Sequence, residues 1–168
     1  MELSFRRVLK NDENMINEIY KIITLSGQDM FEKQGLVHWK TPYPIESIKA
    51  DCENREVFLI KDLQSDLYVH TFQLEFEPKT MNNKIKGYVS FASINKFATL
   101  PVVSGKGIGK KSMDFIEDYC REKEVSKITL DVYDKSEKAI KFYKNRGFSI
   151  TSSKPTKHFS IYIMEKIL

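Results

Sequence analysis

Apolar residues in the first third of the chain recur every three to four positions, a spacing that predicts helices. The first helix is expected to begin after Asn11 or Asp12, either of which can cap it, and to fade near Ser26–Gly27. Prolines interrupt the next segment, so Gly35–Pro44 is predicted to be a loop. A second helix is predicted over Ile45–Asn54.

Elsewhere in this half, apolar and polar residues alternate, which is the period of a strand with one buried face. The alternation is clearest from Tyr68 to Phe76, and Asn82–Asn83 is predicted to be a turn. After the last strand of this half, Phe97–Val103 is expected to stay extended. The predicted strands are Phe5–Leu9, Val57–Lys61, Tyr68–Phe76 and Ile85–Ile94.

The helical period returns after three closely spaced glycines. Ser136 is suited to cap the last helix, and Gly147 to end it. Antiparallel strands followed by alternating strands and helices predict a mixed α/β fold, a single domain over residues 1–168 with helices on the sheet faces. The remaining predicted elements are a helix from Ile108 to near Lys123, a strand at Ile128–Val132, the helix after Ser136, and a strand at Phe159–Met164.

Charge is divided unevenly between the two halves of the chain. Residues 1–84 carry 11 Lys and Arg against 14 Asp and Glu, whereas residues 85–168 carry 16 against 9. The basic half indicates an anionic ligand or nucleic acid, unless its lysines are simply solvated. The start of the chain shows no secretory pattern, and Cys52 and Cys120 stand alone, so we expect a cytoplasmic protein without a metal site.

The sequence SGKGIGKKS, residues 104–112, concentrates glycine and lysine where a strand passes into a helix. It fails the phosphate-binding pattern G-x-x-x-x-G-K-[ST], because Lys110 occupies the last glycine position. It also fails the dinucleotide pattern G-x-G-x-x-G, because Gly109 comes one residue early. A helix start nevertheless exposes unpaired amides with partial positive charge, and glycines let a phosphate approach them. The alternative is a glycine-rich turn with no ligand.

This segment resembles the coenzyme A loop of the GNAT superfamily of N-acetyltransferases, roughly V-x-P-x-x-[RQ]-G-x-G-x-G. The match covers Pro101 and the three glycines, and it fails at Thr99 and at Ser104, where the family prefers Arg or Gln. A second family pattern, N-x-x-A-x-x-F/L-Y-x-x-x-G-F, matches residues 136–148 except for Ser136 in place of Asn. Together the two patterns cover about residues 85–150.

The resemblance implies a central mixed sheet of about six or seven mostly antiparallel strands, flanked by about four helices. It also implies an acetyl-CoA-dependent N-acetyltransferase. In such a protein Phe97–Thr99 would pair with the pantetheine arm, and the amides of Gly105 to Lys110 would hold the pyrophosphate. The cofactor-binding residues expected on this basis are Phe97, Ala98, Thr99, Ser104, Gly105, Lys106, Gly107, Ile108, Gly109, Lys110, Ser136 and Ala139.

Acetyl transfer to an amine also needs a base, an oxyanion donor and a proton for the leaving thiolate. The resemblance favours Tyr143 as the general acid, although its spacing also fits a core tyrosine. A strand N–H near Ala98 or Thr99 is a candidate oxyanion donor. Residues 88–94, where many relatives place a glutamate, hold no carboxylate, so Glu75 or Glu77 acting through water is the candidate base. The alternative, that both are simple surface charges, is favoured by their residue type.

Two further side chains have open roles. His70 falls on the apolar face of its strand and is expected to be a hydrogen-bonded core histidine. Trp39 either lines the acceptor site or fills the edge of the core. His158 receives no role.

Three functions remain after this reasoning: an N-acetyltransferase acting on a small-molecule or peptide amine, a non-catalytic acyl-CoA sensor, and a nucleic-acid binder. The last is disfavoured because the basic half lacks aromatic residues interleaved with its lysines. No membrane partner is expected, and the sequence leaves a homodimer open.

Overall fold

A computed structural model describes residues 1–77 and 91–168. In those ranges seven strands form one sheet in the order β1-β2-β3-β4-β5-β7-β6, accompanied by four α-helices. The predicted fold class is therefore confirmed. Among the described residues, no helix has the length and apolar character needed to cross a bilayer. The elements are β1 (Leu3–Val8), α1 (Glu13–Gln34), α2 (Ile45–Asn54), β2 (Glu56–Asp62), β3 (Leu67–Phe76), β4 (Phe91–Thr99), α3 (Ile108–Glu122), β5 (Lys127–Tyr133), α4 (Glu137–Asn145), β6 (Ser149–Pro155) and β7 (Ser160–Ile167).

Strand pairing in the sheet is mainly antiparallel. β1 pairs with β2, β2 with β3, β5 with β7, and β6 with β7 in this orientation. β4 and β5 are parallel, with Phe91–Ile94 opposite Lys127–Leu130. The predicted turn at Asn82–Asn83 and the first part of the predicted strand Ile85–Ile94 lie outside the described residues.

Contacts along the chain group it into two compact units. The first comprises Met1–Leu74 and Asn95–Ser112, and the second comprises Glu75–Ile94 and Met113–Leu168. The isoleucines that recur at helical spacing on α1 form the buried face of that helix, as the periodicity predicts. Its core comprises Val8, Met15, Ile16, Ile19, Ile22, Ile23, Ile48, Cys52, Val57, Leu59 and Ala98.

The second unit is centred on the parallel strand β5. Ile128 and Leu130 of β5, Ile116 of α3 and Met164 of β7 are almost completely buried. A buried carboxylate accompanies them, because Glu117 accepts hydrogen bonds or ion pairs from Arg146 at 3.0 Å and Lys166 at 2.8 Å. Arg121 adds a third cation, 3.5 Å from the other carboxylate oxygen, and the three cations compensate much of the desolvation of this buried anion.

The end predicted for α1 is wrong, and the reason is tertiary. The helix continues past Gly27 to Gln34 and ends at Gly35, whose φ of 66° is the left-handed cap that glycine favours. Gly27 instead makes room for Trp39, since a Cβ at this position would lie 2.7 Å from the indole ring. The glycine is therefore a packing position and not a stop signal.

Three other local predictions need correction. The predicted extended segment Phe97–Val103 is extended only to Thr99, because Pro101–Val103 forms a 3-10 turn. A 3-10 turn, Val37–Trp39, also lies in the predicted loop before α2. Ser136 precedes α4, but its side chain makes no capping hydrogen bond.

The strand β6 was missed altogether by the sequence reasoning. All seven residues of Ser149–Pro155 are exposed, so no buried face imposes an alternation of apolar and polar residues. β6 pairs only at the edge of the sheet, with β7. A polar edge strand of this kind leaves no periodic trace in the sequence.

We expect Gly27→Ala to destabilise the protein, although alanine is ordinarily preferred over glycine inside a helix by about 1 kcal/mol. The new methyl group would overlap the Trp39 ring, and overpacking typically costs about 1–3 kcal/mol. Urea unfolding followed by circular dichroism would measure the change. In a Trp39→Ala background the same substitution should become neutral or stabilising, and equal effects in both backgrounds would contradict the packing assignment.

Candidate active site

The turn from β4 into α3 is built from short backbone hydrogen bonds and two left-handed glycines. Leu100 N–H donates to Val69 O at 2.8 Å, which keeps the end of β4 beside β3. Gly105 and Gly107 have φ of 80° and 81°, a region that residues with a Cβ avoid. These two glycines turn the chain sharply into the helix.

The start of α3 exposes main-chain donors, as predicted. The first helical hydrogen bond runs from Lys111 N–H to Gly107 O at 3.1 Å. Among the described residues, no acceptor faces the amides of Gly105, Gly107, Ile108, Gly109 and Lys110. We refer to these five N–H groups as the amide cluster. Because a Cβ added to Gly105 or Gly107 would meet nothing within 4 Å, open space adjoins both glycines.

One predicted donor does not belong to the amide cluster. Lys106 N–H donates to Val103 O at 3.4 Å, so only its exposed side chain is left for an anion. The side chain of Lys111 also has a partner, since its Nζ donates to Met1 O at 2.7 Å. Lys106 and Lys110, which lie beside the cluster, are exposed and can add positive charge there.

The end of β4 places its three predicted residues in different surroundings. Ala98 is buried in the core of the first unit, so its polar contribution can come only from its backbone. Phe97 packs edge-on against the His70 ring, with centroids 4.4 Å apart. The Thr99 hydroxyl lies 2.8 Å from Nδ1 of His70.

His70 is a core residue, as predicted, but its hydrogen bonding is incomplete. The side chain is fully buried, and Nε2 has no partner among the described residues. Burial disfavours the charged imidazolium and lowers the pKa of His70 to about 3. The ring is therefore neutral near pH 7 and is poorly suited to act as a general base.

Helix α4 carries the residues of the second family pattern. Tyr143 is 8% exposed and packs edge-on against Phe142 and Phe148, at 5.2 and 5.7 Å. Burial raises the pKa of Tyr143, so the phenol keeps its proton at neutral pH. Gly147, with φ of 87°, ends this helix as predicted. Ala139 is half-buried on the same helix, and Ser136, which directly precedes the helix, is buried.

The remaining predicted side chains lie at the ends of elements. Glu75 is half-buried near the end of β3, and Glu77 is exposed, with its N–H donating to Phe91 O at 3.1 Å. Trp39 is half-buried against α1 and lies 6.2 Å from the Tyr43 ring. Their roles as base and acceptor wall stay predictions.

Comparison with known proteins decides the family. The sequence profile of the Acetyltransferase (GNAT) family matches residues 36–148, about two thirds of the chain. The chain belongs to the GNAT acetyltransferase family. The expected acyltransferase class is thereby confirmed, and the matched range includes both the amide cluster and α4. No curated protein sequence matches this acetyltransferase.

Solved structures share the fold of this acetyltransferase over nearly its whole length. Ard1 from Thermoplasma volcanium matches with a TM-score of 0.75 and 21% identity, covering 100% of this chain and 99% of that one. The PaiA N-acetyltransferase from Thermoplasma acidophilum, in complex with coenzyme A, matches with a TM-score of 0.73 and 16% identity, and the match covers 100% of both chains. NAA60 from Arabidopsis thaliana, in complex with a bisubstrate analogue, matches with a TM-score of 0.73 and 14% identity, and the match covers 99% of both chains.

A cavity in the second unit of the acetyltransferase escaped the sequence reasoning. Its volume is about 340 Å³, and β5, β7 and the β6–β7 turn supply its walls, which include Tyr133, Asp134 and His158. One carboxylate oxygen of Asp134 is buried without a partner among the described residues. His158 could not be assigned from sequence because the turn that carries it follows the unpredicted strand β6.

We expect His70 to make the acetyltransferase acid-sensitive. Its pKa is about 3 in the folded chain and near 6.5 when unfolded, so the unfolded state binds the extra proton as the pH falls from 6.5 toward 3. The free energy of unfolding is therefore unaffected by the titration of His70 above pH 6.5, and below this pH it falls by up to about 1.4 kcal/mol per pH unit. Urea unfolding between pH 7 and pH 4 should show a shallower pH dependence in His70→Phe. An unchanged slope would contradict this assignment.

Proposed function

We propose that this acetyltransferase moves the acetyl group of acetyl-CoA to a primary amine on a small molecule or a peptide. The observation that carries the proposal is the amide cluster, whose five donors have no acceptor among the described residues and include two left-handed glycines with open space beside them. Donors without acceptors at a helix start favour a bound anion. The coenzyme A pyrophosphate supplies such an anion, and PaiA, which shares the fold, was crystallised with coenzyme A.

In this proposal, backbone groups hold the cofactor and side chains assist. The amide cluster binds the pyrophosphate, and the exposed Lys106 and Lys110 add positive charge. Residues 97–99 pair with the pantetheine arm. The departure at Ser104 from the family pattern weakens one side-chain contribution, and the amide cluster compensates because it needs no particular side chain.

The chemistry proceeds by direct attack of the amine on the thioester carbon. The new C–N bond forms as the carbonyl becomes an oxyanion, which the N–H of Ala98 or Thr99 stabilises. The intermediate collapses by breaking the C–S bond, and Tyr143 gives its proton to the departing thiolate. The amine loses its proton to water that Glu75 or Glu77 orients. Burial raises the pKa of Tyr143, so the phenol still carries its proton at neutral pH when the thiolate leaves.

We expect Gly107→Ala to weaken acetyl-CoA binding by at least 10-fold. The added methyl group projects into the open space beside the amide cluster, where the pyrophosphate is proposed to bind. Isothermal titration with acetyl-CoA would measure the dissociation constant.

Gly35→Ala is the matched control. Gly35 also has a left-handed φ, of 66°, and open space around it, but it lies at the end of α1. Both variants should lose similar stability, because alanine is strained at either position. Only Gly107→Ala should lose cofactor affinity, and equal affinities in the two variants would overturn the proposed site.

We expect Tyr143→Phe to lower kcat by about 100-fold with little change in acetyl-CoA affinity, as is typical for loss of a general acid. Steady-state kinetics with thiol detection, across a panel of small amines and peptides, would measure it. Wild-type protein that binds acetyl-CoA yet acetylates no amine would favour the sensor function. Unchanged turnover in the variant would remove Tyr143 from the mechanism.

A further inference from the structure

We propose that Lys96 is a positioning residue, whose ion pair with Asp51 fixes a left-handed bend in β4 and thereby aims the backbone of residues 97–99. The inference rests on the proposed function, in which those residues line the cofactor. It concerns the first unit alone.

The bend itself is unusual for the residue that makes it. Lys96 has φ of 47°, although it lies inside a strand and carries a long side chain. Such a conformation is uncommon outside glycine, asparagine and aspartate, and it persists only where the surroundings enforce it. The pairing of β4 with β5 runs from Phe91 to Ile94, so the bend follows directly after the paired stretch.

The surroundings that enforce the bend are ionic. Nζ of Lys96 forms an ion pair with Oδ2 of Asp51, and the two side chains are only 8% and 14% exposed. The same carboxylate accepts a hydrogen bond from Gln73 Nε2 at 2.8 Å and pairs with Arg55 Nη1 at 3.4 Å. The Tyr43 ring lies 4.5 Å from the Lys96 ammonium and adds a cation–π contact.

This network joins two elements, α2 and β3, to one backbone position in β4. Asp51 is on α2, which the fully buried Ile48 holds in the core, and Gln73 is on β3. A buried ion pair generally contributes less to stability than apolar side chains of the same volume would. We therefore assign the ion pair a role in orienting the backbone. It ties Lys96 to α2 while the residue has the left-handed φ that bends β4.

The consequence falls on the residues that follow the bend. Ala98 is held by the core and Thr99 by His70, so a change at Lys96 would rotate the intervening amides and leave the fold in place. An oxyanion donor acts through a distance and an angle that matter most in the transition state. Loss of the ion pair should therefore lower kcat more than it raises the KM for acetyl-CoA.

The test separates the ion pair from the backbone angle. Lys96→Met keeps the aliphatic stem without the charge, and Lys96→Gly removes the ion pair while relieving the left-handed φ. Both should lower kcat at least 10-fold, with the KM for acetyl-CoA within 3-fold of wild type. If Lys96→Gly retains wild-type kcat, the backbone angle alone suffices and the proposal is overturned.

A matched control exists at the β2–β3 turn. Asp66 also has a left-handed φ, of 59°, and is ion-paired to Lys61 at 2.5 Å. Lys61→Met should leave kcat unchanged. An equal loss of kcat in this variant would show a general effect of removing lysine ion pairs and would refute the specific role of Lys96.

Amide hydrogen exchange in the ligand-free protein provides a readout that does not depend on activity. Exchange at Phe97–Thr99 should accelerate at least 10-fold in Lys96→Met, and likewise in Asp51→Asn, which serves if the first variant does not fold. If exchange is faster in these variants but the wild-type protein transfers no acetyl group, the positioning role of Lys96 is supported and the proposed function is rejected. Unchanged exchange and unchanged kcat together would overturn the positioning role of Lys96 itself.

Discussion

Hydrogen-bond donors of the main chain at the start of α3 lack acceptors within the described protein, and much of the local structure maintains that condition. A helix start always leaves several N–H groups free, but they are commonly capped by a side chain or by the preceding loop. Here two left-handed glycines turn the chain into the helix, and no group among the described residues accepts a hydrogen bond from the amides of Gly105 and Gly107 to Lys110. The donors are fixed before any ligand arrives, so binding an anion requires little ordering of the backbone.

The strand that leads into this turn is held at successive residues by different kinds of interaction. Lys96 is held by charge, Ala98 by burial, Thr99 by a hydrogen bond to His70, and Leu100 by pairing with Val69. His70 and Val69 are neighbours on β3, whereas the partner of Lys96, Asp51, lies on α2. The hydrophobic core alone would leave the direction of the backbone at residues 96–100 weakly determined, because apolar packing is not directional. Polar contacts supply the missing orientation.

Sequence reasoning succeeded where a residue acts through its own backbone or through local spacing. Gly147 and the glycines before α3 are examples, because positive φ is a local requirement. It failed where the cause is a distant contact: Gly27 resembles a helix end until the Trp39 ring that needs its space is known. β6 was missed because an exposed edge strand has no buried face to pattern it. The buried ion pair of Lys96 was equally hidden, since a lysine in a strand is ordinarily expected to point to solvent.

The contact between Trp39 and Gly27 also has a practical consequence. Trp39 is the single tryptophan of the chain, and it is half-buried against α1 in the first unit. Indole emission therefore reports on one unit, whereas the tyrosines and phenylalanines are spread over both. The protein thus carries an intrinsic optical probe that can reveal whether the two units melt together or in sequence, without any label being introduced.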